Sequence, residues 1–554
     1  MNYIEEYNSL IVKNKIVVSD KVKRVYAKLV KDLKAKDSEW EYDEKKASHA
    51  ITFIERYCKH SKGKCGGQNF ILELWQKAMV SAVFGFVHKI DGIRKYREFI
   101  LIVARKNGKS ALGSAIALYL LTADGEAGAE IVSVATKKDQ AKIIWSESKR
   151  MIKKSPALNK RIRCLVGELV YDATDSNFKP LSSDSNTLDG LNVHCSLIDE
   201  LHAIQDKNLY DVIIDGMTAR EQPLSIITST AGTVRENIFD IKYDECERII
   251  NGYTDKNGYK DERVLPIIYE LDNRKEWTDE KKWQKANPAL GTIKSLDQLQ
   301  GKVNKAKANP ILVKNLLCKD FNIRETSSES WLNFEQINNT ATYKISDMGV
   351  KYGIGGVDLS STTDLTSACL LFKIPNDETI YFKHMYWLPE ELLEQRTKED
   401  RIPYNIWYDL GLLRTCQGNS VHPKYVTQWF IEMMNEHDIY MPWCGYDSWS
   451  AKYWVEEMVN TYGKDAMIPV IQGKKTLSSP MRSLGADLSS SKVNYNNNPI
   501  TKWCLTNVAV DIDKNDNIQP CKTSQSRRRI DGFASMLNAY VIYKDKDGDY
   551  LNMI

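Results

Sequence analysis

The sequence predicts an α/β protein with two domains in series, and three observations carry the prediction. The chain has 554 residues, too many for one ordinary domain. From about residue 68 to 330, short apolar β-type runs alternate with longer helical stretches, the pattern of a parallel-rich sheet with flanking helices. After the small polar stretch 325–330, a second β-rich block begins and closes on a helix, as a mixed sheet with helices would.

The elements follow in order. Residues 1–67 form a charged, helix-like lead-in, with Ala50, Ile51, Ile54 and Cys58 on one helical face. Gly63, Gly66 and Gly67 punctuate its end. In the first block (68–325) the strand candidates are Phe99–Ala104, Glu130–Ala135, Val193–Ile198 and Leu224–Ser229. Its last part, about 270–325, turns polar and helical. Residues 326–350 are expected as a linker. The second block (351–554) offers Tyr352–Val357, Ser367–Phe372, Ile380–Tyr386, Tyr440–Tyr446 and Val508–Asp511. An exposed loop is expected at Asn494–Asn498 and a final helix at about Ile530–Tyr543.

Composition narrows the function classes. Hydrophobic residues make up 42% and charged residues 27%, which excludes a disordered chain or a collagen-like repeat. The 77 basic and 73 acidic residues leave a net charge of +4. That excludes a wholesale basic coat but leaves room for a local basic groove. Eleven cysteines, with no C-x-x-C pair, read as reduced thiols rather than a disulfide framework or zinc cluster. The N-terminus lacks the apolar core of a signal peptide, and the apolar stretch around Ala115–Leu121 is far short of a membrane span. The expectation is a soluble, cytoplasmic protein.

The first chemical constellation lies in the first block. Arg105-Lys106-Asn107-Gly108-Lys109-Ser110 follows an apolar strand and opens a helix, the context a phosphate-binding loop requires. Backbone N–H groups and the helix N-terminus would hold phosphates. Lys109 would reach them, and Ser110 would ligate Mg²⁺. The loop is irregular, because Val103 stands where the usual pattern has its first Gly. Downstream, Leu197-Ile198-Asp199-Glu200 is a strand ending in two acids. Asp199 would hold the Mg²⁺ shell, and Glu200 would orient or deprotonate water. The strand-end run Thr228-Ser229-Thr230-Ala231-Gly232 carries hydroxyls that could sense a γ-phosphate, and Gln76 could read an adenine edge.

The second constellation is carboxylate-rich. Asp358 ends a Gly-rich apolar strand, Asp447 ends another, and Asp531 opens the last helix. Three carboxylates suit a shared Mg²⁺ or Mn²⁺ site, where hard cations take oxygen ligands and can activate water for phosphodiester cleavage. Asp364 could add a fourth. Arg527, Arg528 and Arg529, with Lys474 and Lys475 as a weaker basic loop, could hold DNA phosphates.

In this order, the motifs resemble the large terminase subunit of tailed double-stranded DNA bacteriophages over about residues 68–545. Asp358-Leu-Ser-Ser-Thr-Thr-Asp-Leu-Thr and Leu197-Ile-Asp-Glu-Leu-His are the most specific strings. The resemblance implies an N-terminal P-loop ATPase domain of the ASCE type and a C-terminal RNase H-like nuclease domain. It implies ATP-driven translocation of double-stranded DNA into the prohead and metal-dependent cutting of concatemers. Gln76, Arg105, Gly108, Lys109, Ser110, Asp199 and Thr230 would bind nucleotide and its Mg²⁺, with Glu200 catalytic. Asp358, Asp447 and Asp531 would form the nuclease site. The implied partners are the portal and prohead, a small terminase subunit and, in some relatives, an HNH endonuclease. The implied assembly is a ring on the portal, from a monomer in solution, in the host cytoplasm and outside the mature virion. Some relatives carry an arginine finger ahead of the acidic strand end. Residues 185–190 hold no Arg, which leaves Arg150, Arg161, Arg163 and Arg220 as alternatives. Two competing readings are an RNase H-like recombinase or transposase with ATP-dependent regulation, and a non-catalytic DNA-binding adaptor.

Overall fold

The computed structural model describes residues 2–63, 65–135, 138–182, 190–204, 207–232, 238–255, 257–309, 311–325, 330–359, 365–397, 400, 402–418, 420–448, 452–513, 515–522 and 528–554. Asp364, Arg527, residues 326–329 of the expected linker and residues 185–189 of the finger stretch lie outside this set. The chain divides into two compact units, the first ending at Arg324 and the second beginning at Glu325.

The first unit starts with three helices, α1 (Tyr3–Val12), α2 (Asp20–Leu33) and α3 (Glu44–Tyr57). They do not stand apart as a lead-in. Ile4, Tyr7, Val22, Tyr26 and Ile54 join the same apolar core as the sheet strands. Ser19 caps α2 and also donates its hydroxyl to the Ile268 carbonyl at 3.0 Å, pinning the lead-in to the sheet. A short antiparallel pair, β1 (Trp40–Tyr42) and β2 (Phe86–His88), flanks α4 (Leu74–Gly85).

The main sheet comprises β3 (Glu98–Ile102), β4 (Glu130–Ala135), β5 (Arg163–Cys164), β6 (Leu169–Tyr171), β7 (Ser176–Ser182), β8 (Val193–Asp199), β9 (Leu224–Ser229) and β10 (Val264–Ile268). Their spatial order is β10-β3-β9-β8-β4-β7-β6-β5, parallel from β10 through to β7. The central strands are buried along nearly their whole length, as in a parallel sheet covered on both faces, with Ser196 and Ser225 hydrogen-bonded to each other inside. Helices α5 (Lys109–Thr122) and α6 (Lys138–Lys154) pack on this sheet, and α7 (Ile238–Gly252) follows β9. The order matters for function. β3 feeds the Gly-Lys-Ser loop and β8 ends at Asp199, with β9 inserted between them. This is the ASCE arrangement, and it places Thr228 beside Asp199 in the ladder. The 270–325 segment supplies α8 (Leu296–Ala308) and α9 (Ile311–Phe321). They close a satellite core of Leu271, Trp283, Leu299, Val303, Leu317 and Phe321 under Ala104 of the loop.

The second unit is built on β11 (Ile354–Asp358), β12 (Thr366–Phe372), β13 (Ile380–Pro389), β14 (Leu413–Cys416), β15 (Cys444–Asp447) and β16 (Met467–Val470), in the order β14-β13-β12-β11-β15-β16. β17 (Val493–Asn494) adds to β13, and β18 (Val508–Ile512) pairs β19 (Ile518–Lys522) separately. β11, β12 and β13 are antiparallel, while β15 and β16 run parallel to β11, the RNase H-like pattern. Helices α10 (Lys474–Ser489), α11 (Pro499–Asn507) and α12 (Asp531–Asp545) complete one face.

Three expectations change here. Residues 330–350 are part of the second unit, with Leu332, Phe334 and Ile337 in its core. The expected strand Tyr440–Tyr446 begins only at Cys444, because Pro442 cannot donate to a ladder. The Asn494–Asn498 stretch is not an exposed loop: Asn494 pairs in β17, and Asn498 is buried as the side-chain cap of α11.

Candidate functional site

The phosphate-loop region is shaped by side-chain amides. Lys106 and Gly108 take left-handed backbone angles (φ +68° and +82°), which turn the chain from β3 into α5. Asn107 is fully buried. Its Nδ2 donates to the Ala104 carbonyl at 2.9 Å and to Asn287 Oδ1 at 3.1 Å, and its Oδ1 accepts from the Ala289 N–H at 3.1 Å. Val103, in the place of the usual Gly, is buried at the strand end with its N–H donated to the Ser229 carbonyl. The loop therefore closes through Asn107 rather than through a first glycine.

The expected residues gather at the carboxyl ends of β3, β8 and β9. Lys109 Nζ stands 2.7 Å from Glu200 Oε1. Ser110 donates to Asp199 Oδ2 at 2.9 Å, and Thr228 donates to Asp199 Oδ1 at 2.6 Å. Thr230 Oγ1 lies 3.5 Å from Glu200 Oε2. Arg105 is exposed at the loop. Glu200 has a left-handed backbone (φ +55°), a strained conformation for Glu that turns its carboxylate back over the strand ends. Burial works to raise the Glu200 pKa, but the Lys109 ammonium, joined by His202 and Arg105, outweighs it, and the carboxyl sits below its ordinary value. Glu200 is thus ionised at neutral pH and able to accept a proton.

Gln76 is buried in the first turn of α4. Its Oε1 accepts from the Glu73 N–H at 3.0 Å, which leaves Nε2 as the free end; that atom is buried without a partner. A Cβ built on Gly108 would lie 3.8 Å from this Nε2 and 3.2 Å from Ile293. An unsatisfied donor beside the loop, a helix N-terminus, a lysine and a hydroxyl-carboxylate pair fit a Mg²⁺-nucleotide. Of the finger alternatives, Arg220 is held by Glu126 and the carbonyls of Gly128 and Asn192, Arg150 pairs with Glu147, and Arg163 pairs with Asp172.

The second site is positioned by glycine contacts. α12 lies directly on β11 and β15: a Cβ on Gly356 would stand 2.2 Å from the Ser535 carbonyl, and one on Gly445 2.5 Å from the Asn538 carbonyl. Asn538 Nδ2 donates to the Val357 carbonyl at 2.9 Å, and Ser535 shares a hydrogen bond with Ser367 at 2.8 Å. These contacts set Asp531, the first residue of α12, over the carboxyl ends of β11 and β15. The parallel register of those strands, Gly355 with Cys444 and Gly356 with Gly445, carries Asp358 and Asp447 to the same end. Burial first, then the charge of Asp531 and less strongly that of Asp358, pushes the Cys504 thiol up. The donors are hard oxygens, suited to Mg²⁺ or Mn²⁺. Among the described residues, however, no three His, Cys, Asp or Glu side chains are gathered closely enough to hold a metal ion. The fold aligns the aspartates without closing them into a cage.

The basic residues near this site differ from expectation. Arg529 is buried, with Nη2 3.6 Å from Asp400, so it does not face DNA. Lys474 and Lys475 open α10 rather than forming a loop, and Lys474 pairs with Asp511 at 2.9 Å. Asn107, Asn287, Ile293 and His202 were not singled out in the sequence; their contacts lie far along the chain or depend on the loop's shape.

Comparison with known proteins identifies the family. The family model for the terminase large subunit ATPase domain matches residues 74–248, and that for the terminase large subunit endonuclease domain matches residues 260–546. The second match begins inside the first unit. The chain is 26% identical over 504 residues to the terminase large subunit of Enterobacteria phage HK97, covering 89% of this chain and 94% of that one. It is 25% identical over 377 residues to protein YmfN of Escherichia coli K12, covering 65% and 80%. The crystal structure of the HK97 large terminase aligns with a TM-score of 0.47 at 25% identity, covering 90% of this chain and 99% of that chain. With the endonuclease-domain model spanning just over half of the chain and the ATPase-domain model ahead of it, the chain belongs to the terminase large subunit family.

Proposed function

We propose that this protein is a phage DNA-packaging motor subunit that hydrolyses ATP to translocate double-stranded DNA into the prohead and cuts concatemeric DNA. The observation that carries the reading is the joined set Lys109–Glu200 and Ser110–Asp199–Thr228, a P-loop lysine and hydroxyl already tied to Asp199 at the end of β8 and to Glu200 just after it. Mg²⁺ would be held by Ser110 and Asp199 and would neutralise phosphate charge. Lys109 would bind the phosphates, Gln76 and Arg105 would contact the nucleotide, and Glu200 would take the proton of the attacking water. Thr230 beside Glu200 would link nucleotide state to the strand-end segment.

In the nuclease half, Asp358, Asp447 and Asp531 would supply the oxygen donors for Mg²⁺ or Mn²⁺, whose bound water is acidified toward neutral pH. The ATPase domain is read as the first unit, ending at Arg324, and the nuclease domain as the second, from Glu325. The partners are double-stranded DNA, a portal, a small terminase subunit and in some systems an HNH endonuclease, with a ring on the portal as the working form in the host cytoplasm. No helix of the described residues is long and apolar enough to cross a membrane.

The test is a crossed assay of full-length protein. Glu200→Gln should lower DNA-stimulated ATP turnover roughly 10²- to 10⁴-fold and leave Mn²⁺-dependent plasmid nicking in place. Asp358→Asn should do the reverse. Unchanged rates in both variants would replace the motor reading with the adaptor.

A further inference from the structure

His202 lies two residues beyond the acidic strand end, in the short 3₁₀ turn Leu201–Ala203. Its Nδ1 stands 3.2 Å from Glu200 Oε2 and 3.0 Å from Ser229 Oγ. Its backbone N–H donates to the same Ser229 oxygen at 3.2 Å. The Ser229 hydroxyl itself donates to the Thr230 carbonyl at 3.0 Å, so what it turns toward the imidazole is a lone pair. That assigns the proton to Nδ1, which donates between Ser229 and Glu200. The ring is held from both sides. A Cβ on Gly232 would meet His202 Cβ at 3.1 Å, and Phe239 meets the imidazole edge-on with centroids 6.3 Å apart.

Glu200 therefore has Lys109 on Oε1, and on Oε2 His202 at 3.2 Å with the more distant Thr230 hydroxyl at 3.5 Å. On the ATPase reading proposed above, on which this inference rests, a bound triphosphate draws Lys109 away from Oε1. The orientation of the carboxylate then depends on the contacts to Oε2. We infer that His202 is a positioning residue for Glu200: it fastens Oε2 to the Ser229–Gly232 segment and leaves Oε1 to receive the proton of the attacking water. The residue acts through Glu200 and does not itself touch nucleotide.

The experiment measures ATP turnover and binding of a fluorescent non-hydrolysable ATP analogue by the full-length protein. His202→Ala should lower kcat roughly 10- to 100-fold, with KM for ATP and analogue affinity within about twofold of the parent. His202→Asn, whose amide nitrogen can occupy the place of Nδ1, should recover most of the rate. In a Glu200→Gln background, His202→Ala should cost nothing further, because a positioning residue has no effect without the group it positions. A residue that merely stabilises the fold would depress the rate in both backgrounds and would not be rescued by Asn. Wild-type turnover that His202→Ala leaves within twofold, or a loss that adds fully to that of Glu200→Gln, overturns the inference and leaves the ATPase reading standing. Absence of turnover in the wild type removes both.

Discussion

The two sites are built by opposite means. In the first unit the side chains of the candidate site are already engaged with one another: Lys109 with Glu200, Ser110 and Thr228 with Asp199. In the second, three aspartates reach one end of the sheet because backbones pack at glycines, and no metal cage is closed among the described residues. A site held by polar cross-links is assembled before its ligand arrives and must exchange partners to work. A site held by backbone packing fixes where the carboxylates start and leaves their convergence to the cation. The first should be sensitive to loss of single hydrogen bonds, the second to loss of close approach.

The sharpest way to break the comparison is Gly356→Val. The added carbon atoms collide with the Ser535 carbonyl and lift α12 from β11, at a cost of about 3 kcal/mol or more. Thermal unfolding of the full chain should show an early transition, and plasmid cleavage should vanish while ATP turnover persists. Parallel loss of both activities would mean that the units do not respond separately.

Acid should separate the units next. Burial holds the His384 imidazole, stacked between Phe382 and Tyr386 on β13, down to about 3. The unfolded chain takes up its proton near pH 6.5 and the folded chain does not. The stability contributed by neutral His384 is therefore complete above pH 6.5 and is lost as pH falls toward 3. At pH 5 the loss is about 2 kcal/mol. Hydrogen-exchange protection at α12, referred to the intrinsic exchange rate at each pH, should fall between pH 7 and 5 in the wild type and hold in His384→Phe; an equal fall in both would assign the effect elsewhere.

The smallest effect tests the polar site. Thr228→Val removes one of the two hydroxyl donors to Asp199 and should cost about 1 kcal/mol of first-unit stability. It should weaken Mg²⁺-dependent nucleotide binding several-fold with cleavage unchanged. An unaltered binding isotherm would show that the cross-link is dispensable.

How much of this was legible in the sequence follows from the range of each contact. The strands Glu130–Ala135 and Leu224–Ser229 were readable to the residue because short runs rich in β-branched residues are bounded on both sides by polar or glycine-containing stretches. Lys109, Ser110, Asp199 and Glu200 were readable because local pattern places them at a strand end or a helix start. The burial of Arg529 was not, since Asp400 and Tyr404, far back in the chain, take it inside. A run of three arginines carries no sign of which one turns inward. The register that brings Asp358 level with Asp447 was likewise hidden, because strand pairing is not written in either strand alone.

The Asn107 amide bears on how such loops are recognised in other chains. Its partner, Asn287, lies 180 residues downstream. A search template that demands glycine at the position of Val103 discards chains of this kind, although their loop is closed. The informative signature is bipartite: Asn-Gly-Lys-Ser after a strand, together with a distant asparagine in the helical segment that follows the sheet. Correlated substitution of those two asparagines across relatives, with the glycine free to vary, is the statistical trace that such a closure would leave.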